Sequence, residues 1–290
     1  MSNSENTIEW TPDESYYSKG IVNQRILSAI SHRGWQYTVK LIHGLQIPFS
    51  QLKIAEVGCG TGTLSLTFAL LGASVTLIDS NERALKNANK IYKMYGCTVQ
   101  CVKANILDSP PDELRESFDI AISGGLAEHF TGKNRARCIL FHKLLLSKNG
   151  FTFIGVPNRL SPFYWLIRLF RQLTGTWRIS LEIPYSNLEL QKIATNVGLT
   201  NCFVLGNAHL SKDCKVYTCG VISAIVETLP ISLQNKLRSW NQKAKKQGVD
   251  FKESDCIKQI KSLVDEAKST YKRNLLSDQF SAGIILFGFN

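Results

Sequence analysis

The segment KIAEVGCGTGTLSLTFALLGASVTLID, from Lys53 to Asp79, sets glycines at 58, 60 and 62 directly behind a short apolar run. A strand that ends in clustered glycines and feeds a helix is the opening unit of an open α/β sheet whose backbone lies against a ligand. The loop Gly58-Cys59-Gly60-Thr61-Gly62-Thr63 holds no lysine, so it lacks the group that a triphosphate loop aims at its phosphates. It also departs from the dinucleotide fingerprint, because Thr63 stands where the third glycine belongs and the extra glycine falls at Gly62. Glu56, two residues before the first glycine, is an acid where a pyrophosphate would repel it.

An adenosyl ligand without phosphates removes the conflict. S-adenosylmethionine carries an ammonium and a sulfonium, so a carboxylate under the loop is expected to help rather than repel. The helix N-terminus after the loop can face its carboxylate, and Asp79 at the end of the second strand can accept both hydroxyls of a ribose. Gly58, Cys59, Gly60 and Gly62 in the loop, with Glu56, Asp79 and Ser80 beside it, are therefore the first candidate cofactor contacts.

AEVGCGTGTLSLTFALLGASVTLID resembles the first two motifs of the class I S-adenosylmethionine-dependent methyltransferases: an acid, then G-x-G-x-G, then a second acid closing strand two. The later segments VKANILD, FDIAISGGLAEHF, GFTFIGVPN and LELQKIATNVGL resemble that family's third to sixth strand regions in order and spacing, and GIILFGFN its closing strand. The resemblance covers roughly residues 50–205 and the last strand. It implies S-adenosyl-L-methionine as cofactor and S-adenosyl-L-homocysteine as product, with Asn105 and Ile106 bordering the adenine. Ser123, Gly124 and an N-terminal tyrosine, Tyr17, join the expected cofactor contacts.

Strand-like and helix-like runs alternate along the chain. Strands are expected at Lys53–Val57, Ser74–Asp79, Val99–Lys103, Phe118–Ser123, Phe151–Val156, Asn201–Leu205 and Gly283–Phe289. Helices are expected near Thr63–Leu71, Glu82–Tyr95, Asn134–Leu146 and Asn187–Val197, with Gly150 and Gly198 as C-terminal stops. The fold class is α/β: a Rossmann-like, doubly wound, seven-stranded, mostly parallel sheet with an antiparallel last strand, plus a helical cap and insertions. Residues 1–45 form the cap, with one helix at Val22–His43. Residues 46–290 form the cofactor-binding domain, with insertions at 159–185 (a lid) and 211–277 (basic helices).

Residues just after strands four and five face the crevice of such a sheet. SGGLAEHF places Glu128 and His129 there, and the pair resembles the E-H ending of the ubiquinone-biosynthesis O-methyltransferase group. His129 is the candidate base, or alternatively a histidine that packs beneath the loop and bonds to backbone; Glu128 is its orienting partner, or alternatively a helix cap. That group has a glutamate where this chain has Gly125, so no metal is expected. The segment also lacks the [DNS]-P-P-[FYW] stacking motif of amino-methyltransferases acting on nucleic-acid bases. A small-molecule acceptor is therefore expected, aromatic, lipid-like or another metabolite, methylated on oxygen or carbon.

The lid segment clusters Phe163, Tyr164, Trp165, Ile167, Leu169 and Phe170 with Arg168, Arg171 and Arg178. It either covers an acceptor, rests peripherally on a membrane, or packs as a plain helix on the sheet edge. Between Lys236 and Arg273, eleven Lys/Arg face five Asp/Glu. That surplus keeps an RNA-directed methyltransferase as the second reading, although nucleic acid is not the expected partner. A non-catalytic binding module is the third. The eight cysteines form no CxxC pair and read as reduced thiols. The polar, acidic N-terminus has no leader pattern and no apolar run approaches the ~18 residues of a membrane span, so a cytoplasmic protein is expected.

Overall fold

The computed structural model describes residues 14–177, 181–207, 230–234, 260–262, 264 and 275–290. Seven strands form one sheet: β1 Lys53–Val57, β2 Ser74–Asp79, β3 Gln100–Lys103, β4 Phe118–Gly124, β5 Leu146–Pro157, β6 Thr200–Gly206 and β7 Gly283–Phe289. Their order is β3-β2-β1-β4-β5-β7-β6, with β7 antiparallel to both neighbours and the β1–β2, β2–β3, β1–β4 and β4–β5 pairs parallel. The helices are α1 Lys19–Ile30, α2 Arg33–Gly44, α3 Thr63–Ala69, α4 Glu82–Met94, α5 Lys133–Leu145, α6 Pro162–Leu173, α7 Asn187–Asn196 and the short α8 Leu275–Phe280.

Central strands covered on both faces need apolar residues at nearly every position. β1 meets this need at Ile54, Ala55 and Val57, all buried, and carries one buried acid, Glu56. Ile54, Leu77 and Ile120 pack on one face, while Ala55, Ile78 and Ala121 pack on the other. Winding reverses where β1 meets β4. The ligand crevice of a doubly wound sheet opens there, beyond the carboxyl ends of the strands.

Two local expectations fail. The single helix over Val22–His43 is broken into α1 and α2, because His32 is extended and precedes α2 while the Arg33 amide bonds the Asn207 carbonyl (2.9 Å). Ser31 closes α1 by bonding its hydroxyl to the Ser28 carbonyl (2.8 Å). Gly150 is not a helix stop: α5 ends at Leu145 and β5 begins at once, with Gly150 inside it. A Cβ at Gly150 would lie 3.0 Å from the carbonyl oxygens of Phe118, Asp119 and Ser147, so close backbone approach explains the glycine. Gly198, at φ +88°, does end α7. The basic helices expected near Leu229–Lys246 and Glu253–Lys272 fall largely outside the described residues, as does Arg178. Among the described residues no helix is long and apolar enough to cross a membrane.

Candidate functional site

Gly58, Gly60 and Gly62 all have positive φ (+61°, +51° and +66°), the region that side chains disfavour. A Cβ on Gly58 would also stand 2.5 Å from Leu126 Cδ1, so the turn after β4 leans directly on the loop. The Gly58 amide bonds the Ile78 carbonyl (2.8 Å) and the Gly60 amide bonds Asp79 Oδ2 (3.1 Å), which tether the loop to β2. Asp79 Oδ1 accepts the Asn81 amide (2.9 Å). Each carboxylate oxygen of Asp79 thus spends one of its two lone-pair positions on backbone, and the half-buried group keeps acceptor capacity for a ribose diol. Cys59 contributes backbone only. Its side chain is in the core, and burial raises the thiol well above its ordinary pKa, with Asp79 and Glu56 adding to the rise.

Glu56 does something other than expected. Instead of facing a cationic ligand, its carboxylate is buried and accepts both the amide (2.9 Å) and the hydroxyl of Ser65, in the first turn of α3. Ser65 Oγ in turn lies 2.7 Å from the Tyr92 hydroxyl on α4. A helix N-terminus attracts a carboxylate, so Glu56 fixes the helix that follows the loop and occupies the N-terminus expected to face the methionine carboxylate. Burial pushes its pKa up to about 7, against the hydrogen bonds from Ser65 and with a further push from Asp79.

The other candidates divide. Asn105 and Ile106 follow β3 on the same rim, where the Ala104 amide bonds the Asp79 carbonyl (3.1 Å). Asn105 is exposed and folds its own turn by accepting the Leu107 amide, whereas the Ile106 side chain is in the core. Ser80 is exposed beside Asp79. Ser123, next to last in β4, is fully buried with a hydroxyl that has no hydrogen-bond partner, and Gly124, which closes the strand, is exposed. Tyr17 is half-buried against the core cluster that includes α1 residues, and α1 packs on α3. The side chains of Glu56, Cys59 and Ile106 therefore turn inward and Gly62 is buried against Leu77 and Tyr92, while Gly58, Gly60, Asp79, Asn105 and Gly124 share the open rim.

Next to Gly124 a cavity of about 710 Å³ opens. Its floor is Phe153, Gly155 and Ile285 of the sheet, and the α1–α2 break supplies Ser28, His32 and Trp35. The lid supplies Tyr164, Ile167, Arg171 and Trp177 from α6 and just beyond it. Two carboxyl groups, Glu128 and Glu182, line it too. Glu128 is 3% exposed, and its Oε2 has no hydrogen-bond partner. Burial raises its pKa to about 8; nearby Glu182 raises it further and Arg135 opposes.

His129 is not in the cavity wall. Its Nδ1 lies 2.5 Å from the Leu181 carbonyl oxygen, so the ring braces that segment. It is one of four braces on a strap, residues 181–185, that carries Glu182. The Glu182, Ile183 and Pro184 carbonyls accept from Arg168 (3.0 Å), Arg135 (3.1 Å) and Arg159 (3.1 Å). The Ile183 amide bonds the Glu128 carbonyl (2.8 Å), which fixes the strap to the Glu128 turn. Glu189 bridges Arg135 (3.0 Å) and Arg159 (3.1 Å) from the first turn of α7. Sequence reasoning missed Trp35, Glu182 and this bracing. The one local signal was that Glu182 is the first acid after a run from Asn158 to Leu181 that has none.

Comparison with known proteins fits this geometry. A family described as a methyltransferase domain matches residues 54–150, the stretch from β1 into β5. Ubiquinone biosynthesis O-methyltransferase of Rickettsia canadensis is 30% identical over 180 residues, which is 60% of this chain and 73% of that protein. The chain belongs to the S-adenosylmethionine-dependent methyltransferases. The enzyme of the same name from Rickettsia prowazekii is 29% identical to this methyltransferase over 139 residues, 48% of this chain and 53% of that one. Against that second relative, then, the match spans about half of its length. A solved methyltransferase of Thermotoga maritima superposes with a TM-score of 0.49 at 15% identity, covering 95% of this chain and 93% of that one. The seven-stranded sheet of this methyltransferase rests on its own strand pairing.

Proposed function

We propose that this methyltransferase binds S-adenosylmethionine along the glycine loop and Asp79 and transfers the methyl group to a hydroxyl of a small, largely apolar acceptor held beside Glu128. The observation that carries the reading is a mostly apolar cavity, opening beside Gly124 at the end of β4, whose polar end holds the buried Glu128 carboxyl group with its Oε2 unpaired. The O-methyltransferase names of the relatives support oxygen as the acceptor atom. The rim fits the cofactor: Asp79 has acceptor capacity left for a diol, and Glu56 is withdrawn from the ligand side.

When bound, the cofactor supplies a methyl group already activated on a sulfonium. The chain's part is to hold the acceptor oxygen in line and to receive its proton. Glu128 is the group placed to do the second. With its pKa raised to about 8, it is mostly protonated at neutral pH and becomes a proton acceptor as it ionises. Phe153, Tyr164 and Trp35 wall the site against water.

The test is calorimetric titration of S-adenosylhomocysteine into wild type and Asp79→Ala, followed by transfer of labelled methyl groups into a panel of phenols. Micromolar binding, weakened at least tenfold by the substitution, with label in the phenol oxygen, is the expected outcome. Binding that ignores Asp79→Ala, or label that enters nitrogen or carbon, rejects the reading.

A further inference from the structure

The acceptor cavity is longer than one aromatic ring, and its two ends differ. The sheet beneath it runs β4-β5-β7-β6, with Gly124 opposite Gly155, Gly155 opposite Ile285 and Ile285 opposite Leu205. Gly124 at the end of β4 and Asn207, which directly follows β6, both line the cavity. Three strand spacings therefore lie between those residues, about 14 Å. A volume of about 710 Å³ also falls in the range that takes a drug-sized ligand rather than a lone phenol.

One end is acidic. Glu128 belongs to the turn after β4, and a Cβ on Gly125 would stand 3.6 Å from its Oε1. The other end is neutral and polar. Asn207 is fixed there by its backbone: its amide bonds the Gly283 carbonyl (2.8 Å) and its carbonyl accepts the Arg33 amide (2.9 Å). Its side-chain Nδ2 lies 3.4 Å from Nδ1 of His32, another residue of the cavity wall. Its Oδ1 accepts no hydrogen bond from the described residues. A Cβ on Gly34 would stand 3.1 Å from that Oδ1, 3.1 Å from Phe153 Cε2 and 1.8 Å from Ile285 Cδ1, so the unused acceptor lies beside the cavity floor. Between the two ends the floor is apolar, and the ring N–H of Trp35 in the wall is already bonded to Thr67 (2.8 Å). An apolar body with a hydrogen-bonding group at each end matches this distribution, because a half-buried acceptor without a donor is a cost that a ligand can relieve.

We propose that the acceptor is an elongated molecule, at least two rings in length. It sets the hydroxyl to be methylated beside Glu128 and a second, neutral hydrogen-bond donor at the far end, where Asn207 Oδ1 accepts it. Asn207 is then a specificity-determining residue, with His32 orienting its amide. The class assigned rests on the proposed function placing the acceptor in this cavity.

The test is calorimetric titration of hydroquinone, 4-hydroxybiphenyl and 4,4′-dihydroxybiphenyl into the full chain saturated with S-adenosylhomocysteine. Wild type should bind 4,4′-dihydroxybiphenyl about tenfold more tightly than 4-hydroxybiphenyl, the scale of one neutral hydrogen bond, and hydroquinone most weakly. In Asn207→Ala that preference should shrink at least threefold, with affinity for 4-hydroxybiphenyl unchanged. Asn207→Asp, which keeps an acceptor oxygen at the position, should retain the preference. A residue with a merely structural role would weaken both biphenyls together and leave their ratio alone. No binding of either biphenyl overturns the proposal, as do equal affinities for the two in wild type, or a preference that survives Asn207→Ala. Failure of the proposed function reads differently. Biphenyls that bind with this dependence on Asn207 yet take no methyl label on oxygen reject that function and keep the elongated ligand. A phenol methylated on oxygen without any preference for the second hydroxyl does the reverse.

Discussion

At the scale of single residues, two buried glutamates hold the most consequential chemistry, and they act in different places. Glu128 faces the cavity with its pKa raised to about 8 by burial. If it receives the acceptor's proton, kcat/KM should climb about tenfold per pH unit below that value and level off above it. Glu128→Gln should lose roughly 10²- to 10⁴-fold and flatten the profile. His129→Ala, which removes a brace from the Leu181 carbonyl, should raise KM for the acceptor and leave the shape of the profile intact. Steady-state kinetics across pH 6–9 separates the two. Glu56 titrates where no substrate reaches. Its folded pKa of about 7 lies above the ordinary value of 4.5, so the folded state holds a proton that the unfolded chain gives up. That contribution to stability is complete below the unfolded pKa and is lost as pH rises through about 7. Glu56→Gln, permanently neutral, should gain on wild type by roughly 1–3 kcal/mol between pH 5 and pH 8 in urea unfolding.

At the scale of elements, the glycine loop is a packing device as much as a conformational one. Gly58→Ala would combine a left-handed backbone, costing about 1–2 kcal/mol, with a Cβ placed 2.5 Å from Leu126 Cδ1. S-adenosylhomocysteine affinity should fall at least tenfold, and Gly58→Ala/Leu126→Ala should recover the steric part and not the backbone part. Calorimetry on the two single variants and the double variant reads the difference. Much of this element was legible beforehand. The bounds of β1, β2 and β7 follow from continuous apolar runs between polar turns, since a strand buried on both faces tolerates little else. The rim positions of Gly58, Gly60 and Asp79 follow from spacing. What was not legible depends on contacts distant in sequence. Nothing local at Ser31–His32 announces that Asn207 will take the Arg33 amide and split a helix. Nothing around Gly150 shows three carbonyl oxygens closing on it from β4 and from β5 itself. The particular partner of His129 was hidden for the same reason, because the Leu181 carbonyl is 52 positions away.

At the scale of the whole molecule, the acceptor cavity has no single owner. Its walls come from the α1–α2 break, the end of β4, the α6 lid and the start of β7. A cavity assembled from both ends of the chain needs something to hold those ends together, and a buried ion pair stands at the seam. Arg33, the first residue of α2, bonds Asp278 of α8 at 2.7 Å, with the two side chains 2% and 7% exposed. Gly206, at the end of β6, joins both: its carbonyl accepts from Arg33 (3.2 Å) and its amide donates to Asp278 (3.1 Å). Desolvation makes such a pair a poor source of net stability but a costly one to break. Arg33→Ala leaves a buried carboxylate uncompensated and should cost about 3–5 kcal/mol in urea unfolding. Arg33→Met/Asp278→Leu removes both charges and should cost much less, with a coupling energy that a double-mutant cycle resolves. If the pair instead serves to set the position of α2, the double variant should fold well and bind S-adenosylhomocysteine normally, yet show a raised KM for the acceptor. Its cofactor rim is built from β1, β2 and β4, whereas His32 and Trp35 stand on the wall that the pair secures.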